Sequence, residues 1–282
     1  MAFTGYFRGE SIVYALKDVG PFVLHPYDRL SYSIYIENSY EPLETAVVKS
    51  VVRQGDSVID CGASIGYYTA LFARCTGPIG RVIAFEPAQA TCEKLKVTVR
   101  RLGLEAVDVN QLAVSDRVEW CEFVLSLNGR EAQQSFEEWR GVAGVTARVM
   151  VEATTLDQTF DERALYDVVS FVKCDVEGAE GKVVKGARKV LGSAHRPIFM
   201  VEVNQPALAA TRAFAEDVVA RFSDFWLYYT PLRDHSPGRR SETRLRRFTS
   251  VSDLPEISNL FAFPKEGKYA DRLDALKRLG LI

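Results

Sequence analysis

The chain has 282 residues, 47% hydrophobic and 26% charged, with a formal net charge of -2. That is the composition of an ordinary soluble globular protein, and near-neutrality gives no general attraction to nucleic acid. No apolar run approaches the roughly 20 residues that span a bilayer, and Cys61, Cys75, Cys92, Cys121 and Cys174 lack C-x-x-C spacing, which argues against a disulfide frame or zinc site.

The N-terminus has no basic start followed by an apolar run, so no secretion signal is read and a cytoplasmic location is expected. Residues 1–44 carry aromatics and short β-like runs, Phe22-Val23-Leu24 and Tyr32-Ser33-Ile34-Tyr35-Ile36, and read as an extension over a main domain. Pro42 opens a helix from Leu43 to Val52, proline being tolerated in a first turn. Strand, helix, strand, helix, strand then follow: Ser57 to Asp60, Gly66 to Cys75, Val82 to Glu86, Ala88 to Leu102 and Val107 to Ala113. Residues 117–165 break the rhythm. There Glu122 to Leu127 and Arg148 to Glu152 read as a β-hairpin insertion around a polar stretch, Asn128 to Gly144, in the manner of a lid or substrate loop.

The alternation resumes with strand Val168 to Cys174, helix Gly178 to Leu191, strand Ile198 to Val203 and helix Pro206 to Phe222. Strands alternating with helices imply a parallel sheet covered on both faces. Phe225 to Tyr229 and Leu260 to Phe263 are then joined by a polar loop without a crossover helix, so the last strand should be antiparallel. Tyr269, Leu273, Leu276 and Leu279 mark a final helix with an apolar face, which packs on the core or builds a homodimer. The expected layout is an extension over 1–44, a main domain over 45–266 and a C-terminal helix over 267–282.

The run Val58-Ile59-Asp60-Cys61-Gly62-Ala63-Ser64-Ile65-Gly66-Tyr67-Tyr68-Thr69 is a buried strand, a tight turn and a helix start. That is the local build of a nucleotide-cofactor site. Asp60 narrows the choice. A carboxylate in this turn repels a pyrophosphate but suits a cofactor with ribose hydroxyls, an ammonium and a sulfonium, as in S-adenosylmethionine (SAM). Glu86, in Phe85-Glu86-Pro87, ends the second strand, where an acid can accept both ribose hydroxyls. At the third strand's end, Ser115 or Asp116 is placed to address the adenine amino group. The fold expected from this pattern is α/β and Rossmann-like, of the class I SAM-methyltransferase type. Its sheet has seven strands, mostly parallel, with an antiparallel last strand, helices on both faces and a β-hairpin insertion.

The fourth strand leads into Lys173-Cys174-Asp175-Val176-Glu177-Gly178-Ala179-Glu180, a dense run of carboxylates at a ligand-binding edge. Glu202 and Asn204 share one face of the fifth strand. Asp175, Glu202 and Asn204 are hard oxygen donors of the kind magnesium prefers. Such an ion would acidify an acceptor hydroxyl; a carboxylate, Asp175 or Glu177, acting as general base would serve equally. Of the three histidines, His195 reads as structural, whereas His25 and His235 lie in segments able to cover the site. The arginines between Arg233 and Arg247 suit capture of an anionic acceptor, contact with an anionic membrane surface, or simply a solvated loop.

Together with Thr155-Leu156-Asp157 and Lys185-Gly186-Ala187, these motifs resemble the FkbM-type SAM-dependent methyltransferases over roughly residues 40–205, with Asn259-Leu260-Phe261 similar to the family's last strand. The resemblance implies O-methylation of hydroxyls on sugars, glycolipids or polyketides. It implies SAM contacts from Asp60, Gly62 and Glu86, with Asp175 and Glu177 facing the reacting centre; Ala63, Gly66, Tyr68, Pro87, Ser115 and Asp175 are the further cofactor-binding candidates. The leading expectation is transfer to a saccharide or glycoside hydroxyl. A polyketide or macrolide hydroxyl and a non-catalytic SAM-binding role are the alternatives. The partner expected is a small-molecule or glycan acceptor rather than nucleic acid.

Overall fold

A computed structural model describes residues 9–126, 134–135, 146–231 and 243–282. An antiparallel hairpin, β1 (Ile12–Leu16) and β2 (Gly20–Leu24), opens the described chain. Next comes a helix, α1 (Arg29–Glu37), where the aromatic and β-branched run Tyr32 to Ile36 suggested a strand. The cap decides it. Asp28 accepts a hydrogen bond from the Ser31 N–H at 2.7 Å, and the buried Ser31 and Ile34 lie three apart on one helix face. Helix α2 (Pro42–Val51) follows Glu41, itself in the left-handed region at φ 46°.

The main domain runs β3 (Ser57–Cys61), α3 (Tyr67–Thr76), β4 (Arg81–Phe85), α4 (Gln89–Leu102) and β5 (Val107–Asn110). The insertion comprises β6 (Ala113–Val114), β7 (Glu119–Ser126), β8 (Gln134–Ser135) and β9 (Thr146–Thr154). After α5 (Leu156–Arg163) come β10 (Val169–Cys174), α6 (Glu180–Lys185), α7 (Arg188–Gly192) and β11 (Ile198–Asn204). The chain closes with α8 (Gln205–Ala210), α9 (Ala215–Val219), β12 (Phe225–Tyr229), β13 (Arg246–Arg247), β14 (Ile257–Pro264) and α10 (Leu273–Arg278). No helix among the described residues is long and apolar enough to cross a membrane.

Among the described residues the main sheet has the order β13-β12-β14-β11-β10-β3-β4-β5. Strands β5, β4, β3, β10 and β11 are parallel, and β14 inserts antiparallel between β11 and β12. The seven expected strands are therefore present, and β13 adds a two-residue edge. Alternate residues feed two cores. Val58, Val82, Phe171 and Met200 pack on one face, and Ile59, Ile83, Val172 and Val201 on the other. Both faces being covered, these strands are near-continuous apolar runs. All the parallel strands point their C-terminal ends at one edge of the sheet, and the site lies there.

Three expected elements are divided. The strand Val107 to Ala113 ends at Asn110, whose carbonyl accepts the Glu86 N–H, and β6 leaves to pair with β9 in the insertion's own sheet. Helix Gly178 to Leu191 breaks at Gly186, which presses so closely on Ser115 that a Cβ would meet its carbonyl oxygen at 2.2 Å. Asp157 then starts α7 by accepting from the N–H groups of Lys189 and Val190, both at 3.0 Å. Helix Pro206 to Phe222 breaks after Ala210, where the Thr211 hydroxyl donates to the Gly178 carbonyl at 2.7 Å. The motifs Thr155-Leu156-Asp157 and Lys185-Gly186-Ala187 are thus joined by structure: they lock α5, α7 and the Ser115 turn together.

At the C-terminus, Tyr269, Leu273 and Leu276 are buried in the core beside α2, while Leu279 is exposed. The apolar face packs on the core. Arg272 fastens it, donating to the Val51 carbonyl at 2.7 Å and pairing with Asp56. The expected lid from Asn128 to Gly144 lies outside the described residues apart from 134–135, as do His235 and the arginines at 233, 239 and 240.

Candidate active site

The turn after β3 is built by contact between two backbones. Gly62 (φ 76°) lies against the next strand's exit, where a Cβ would sit 1.8 Å from the Asp175 carbonyl oxygen. Gly66 (φ 94°) lets α3 approach Leu95. The N–H groups of Gly62 and Ala63 both donate to the Phe85 carbonyl, at 3.0 and 2.9 Å. The turns of β3, β4 and β10 are therefore one rigid unit.

Asp60 has no exposed surface. Its Oδ2 accepts from the Thr69 hydroxyl at 2.7 Å, and its Oδ1 has no hydrogen bond but faces the Lys173 ammonium at 3.8 Å. Burial raises its carboxyl pKa, and Lys173 opposes the rise. The carboxylate thus holds Lys173 and Thr69 inside the fold and does not look out onto the strand edge.

Lys173 is the buried charge at this edge to which the motif reading gave no role. It is 2% exposed, donates to Asp175 Oδ2 at 3.0 Å and reaches the Gly62 carbonyl at 3.5 Å. Its Nζ also lies 5.2 Å from the centroid of the Tyr68 ring, whose hydroxyl donates to Glu41 at 2.5 Å. Burial alone would lower the ammonium's pKa, but the carboxylates of Asp175 and Asp60 outweigh it and hold the group above its ordinary range. A lysine inside the apolar strand Val169–Cys174 was the available signal, since a buried charge demands partners.

Glu86 accepts from the Ser64 and Ala88 N–H groups, each at 3.0 Å, one on each carboxylate oxygen. Each oxygen keeps a further lone pair. Burial pushes its pKa up to about 7. Pro87 directs the chain into α4. Ser115 is buried beside Gly186, and Asp116 is engaged by Lys185 at 2.7 Å.

After β10 the chain reverses through Glu177 (φ 55°) and Gly178 (φ 97°). Glu180 folds back, its Oε1 accepting from the N–H groups of Val176 at 2.8 Å and Gly178 at 3.2 Å. Its side chain is wholly buried, and its Oε2 is without a partner, as is Oε2 of Glu202. Asp175, Glu180 and Glu202 each bring a carboxylate oxygen within 4.8 Å of the others. Glu180, expected as part of the acidic run but not as a metal ligand, thus joins the expected Asp175 and Glu202. Asn204 instead caps α8, its Oδ1 accepting from the Ala207 N–H at 3.2 Å. Burial, followed by the charge of Asp175, raises Glu177 to about 8 and lifts Glu202 well above its usual value; burial lifts Glu180 to about 7. Glu41, Ser64 and Glu177 all adopt left-handed backbone around this edge, and such strain gathers at functional sites.

The two described histidines, His25 and His195, stand apart. His25 is buried against Ser11 at 3.1 Å and Thr98 at 3.0 Å, and burial lowers its pKa to about 4. His195 lies 3.8 Å from Asp167. Of the arginine run, Arg247 sits 5.2 Å over the Trp226 ring.

Comparison with known proteins finds partial relatives among methyltransferases. Protein-L-isoaspartate O-methyltransferase of Methanococcus aeolicus is 29% identical over 91 residues, 31% of this chain and 42% of that protein. Protein-L-isoaspartate O-methyltransferase 2 of Archaeoglobus fulgidus is 33% identical over 58 residues, 21% of this chain and 26% of that one. The chain therefore spans less than half the length of either curated relative. The crystal structure of methyltransferase FkbM from Methylobacillus flagellatus aligns with a TM-score of 0.44 at 18% identity, over 74% of this chain and 44% of that one. The profile of the methyltransferase FkbM domain matches residues 60–225, from the Asp60 turn through the acidic block to β12. That match takes in more than half of the sequence, and the chain belongs to the FkbM methyltransferase family.

Proposed function

We propose that the protein is a SAM-dependent O-methyltransferase that modifies a hydroxyl of a saccharide or glycoside. The observation that carries this reading is the group of carboxylates at the ends of β10 and β11, next to the ribose-type acid Glu86. Glu177 is held by burial and by Asp175 at a pKa of about 8, close to the value at which a general base works best near neutral pH.

The residues present fit the cofactor. Glu86 keeps free lone pairs for two ribose hydroxyls, and the acidic edge suits a ligand that carries cationic groups and no phosphate. When bound, SAM supplies an electrophilic methyl carbon. The chain's own part is to orient and deprotonate. Lys173 fixes the Asp175 carboxylate from behind. Glu177, its basicity raised by burial and by Asp175, would then receive the proton of an acceptor hydroxyl, so the hydroxyl oxygen's lone pair is free for in-line attack. The O-methyltransferase activity named for the two curated relatives supports oxygen as the acceptor atom.

The test is incubation with methyl-labelled SAM and a panel of hydroxylated glycans and glycosides, read by product mass. Wild type should transfer label. Glu177→Gln and Asp175→Asn should lose roughly a hundredfold or more in rate while SAM still binds. Transfer at the wild-type rate by both variants would remove the base assignment, and labelling confined to non-carbohydrate hydroxyls would replace the acceptor class.

A further inference from the structure

The acidic edge holds more acceptor capacity than the protein supplies donors. Asp175 gives Oδ2 to Lys173, leaving Oδ1 for a ligand. Glu180 spends Oε1 on two backbone N–H groups, yet its Oε2 is partnerless inside a wholly buried side chain. Glu202 likewise has a partnerless buried Oε2. A buried carboxylate oxygen without a donor is costly, and two of them facing one place call for a group that completes them.

Geometry says what completes it. The three carboxylates converge from separate places, the end of β10, the start of α6 and the end of β11, with one oxygen from each within 4.8 Å of the others. Hard divalent cations take oxygen ligands at about 2.0–2.6 Å, so oxygens on opposite sides of one ion are about 4–5 Å apart. The cation set beside this group is Lys173, and it is already shared between Asp175 and Asp60. A second lysine would have to fill the same space; a bare ion would not.

We propose that Asp175, Glu180 and Glu202 bind one divalent cation of the magnesium class. Asp175 is partly exposed, its side chain at 27%, so the ion is reached from the strand edge and keeps coordination positions for water or for ligand oxygens. Vicinal hydroxyls, which can chelate such an ion through two oxygens, are the acceptor chemistry this favours. That acceptor preference, though not the cation site itself, rests on the methyl-transfer reading of the edge.

The test uses Mn2+ as probe on the full chain, with binding followed by electron paramagnetic resonance and displacement by Mg2+. One Mn2+ per chain is expected in wild type. Affinity should fall at least tenfold in Glu180→Gln, which keeps an oxygen for the Val176 and Gly178 N–H groups, and also in Glu202→Gln, which stands in should the first variant fail to fold. No stoichiometric Mn2+ in wild type, or unchanged affinity in Glu202→Gln, would overturn the proposal. A parallel titration with S-adenosylhomocysteine separates the two readings. Mn2+ bound without the adenosyl ligand upholds the cation site and removes the methyl-transfer reading; the adenosyl ligand bound without Mn2+ does the reverse.

Discussion

Replacing Lys173 by Met tests the electrostatic build of the site. Methionine retains most of the side chain's length and removes the charge. With its ammonium 3.0 Å from Asp175 and 3.8 Å from Asp60, the gross attractions at an effective dielectric constant near 20 are about 5.5 and about 4.4 kcal/mol. Desolvation of the ions offsets much of this. What the substitution leaves behind decides the outcome: Asp60 has no solvent exposure, and Lys173 is what faces its Oδ1. Breaking such a buried pair from one side costs about 3–5 kcal/mol, a large share of the roughly 5–15 kcal/mol that holds a domain folded. Equilibrium unfolding in urea should show that loss as a lower midpoint. The double variant Lys173→Met, Asp60→Asn should recover at least half of it, because a neutral pair leaves no uncompensated charge. A single variant within about 1 kcal/mol of wild type, or a double variant as unstable as the sum of the two singles, would refute the reasoning.

Gly62→Ala should abolish the folded turn, because its Cβ would meet the Asp175 carbonyl at 1.8 Å and both partners are backbone. Gly103→Ala, also left-handed at φ 62° but with nothing within 4 Å, should cost only about 1 kcal/mol; equal losses on thermal melting would contradict the close-packing argument. His25 carries a pH signature. Folding lowers its pKa from 6.5 to about 4, so the unfolded chain binds more protons between those values. Stability complete above pH 6.5 should fall by about 3 kcal/mol as the pH drops towards 4. Unfolding midpoints at pH 7.5 and 4.5 should show a smaller loss in His25→Gln than in wild type; equal losses in both would locate the acid sensitivity elsewhere.

The sheet was legible because its signals are redundant. Apolar runs of strand length alternate with helical patterns, and turn residues punctuate them, so β3, β4, β10 and β11 fall within a residue of expectation. Elements decided by one local contact were not. Helix α1 depends on the Asp28 cap overruling β-branched composition, and α6 and α7 separate because Gly186 must press on Ser115. Composition cannot report either event. At the site, Glu86, Asp175 and Glu177 stand out as acids at strand ends. Asp60 and Lys173 are a pair only once β3 and β10 are neighbours in register. Asn204 and Glu180 traded expectations for a similar reason: each has one local backbone task, a helix cap for Asn204 and a loop closure for Glu180, and only the carboxylate keeps an oxygen to spare.

The most direct test of the account is a calorimetric titration of wild type and Glu86→Ala with SAM and S-adenosylhomocysteine, with NAD as control. The account predicts binding of both adenosyl ligands by wild type and none of NAD. It also predicts an affinity lower by roughly ten- to a hundredfold in Glu86→Ala, the worth of charge-assisted hydrogen bonds to a ribose. Because burial holds the Glu86 carboxyl near pKa 7, wild-type affinity should also weaken as the pH falls below that value. Absence of adenosyl binding, or an affinity indifferent to Glu86, would contradict it.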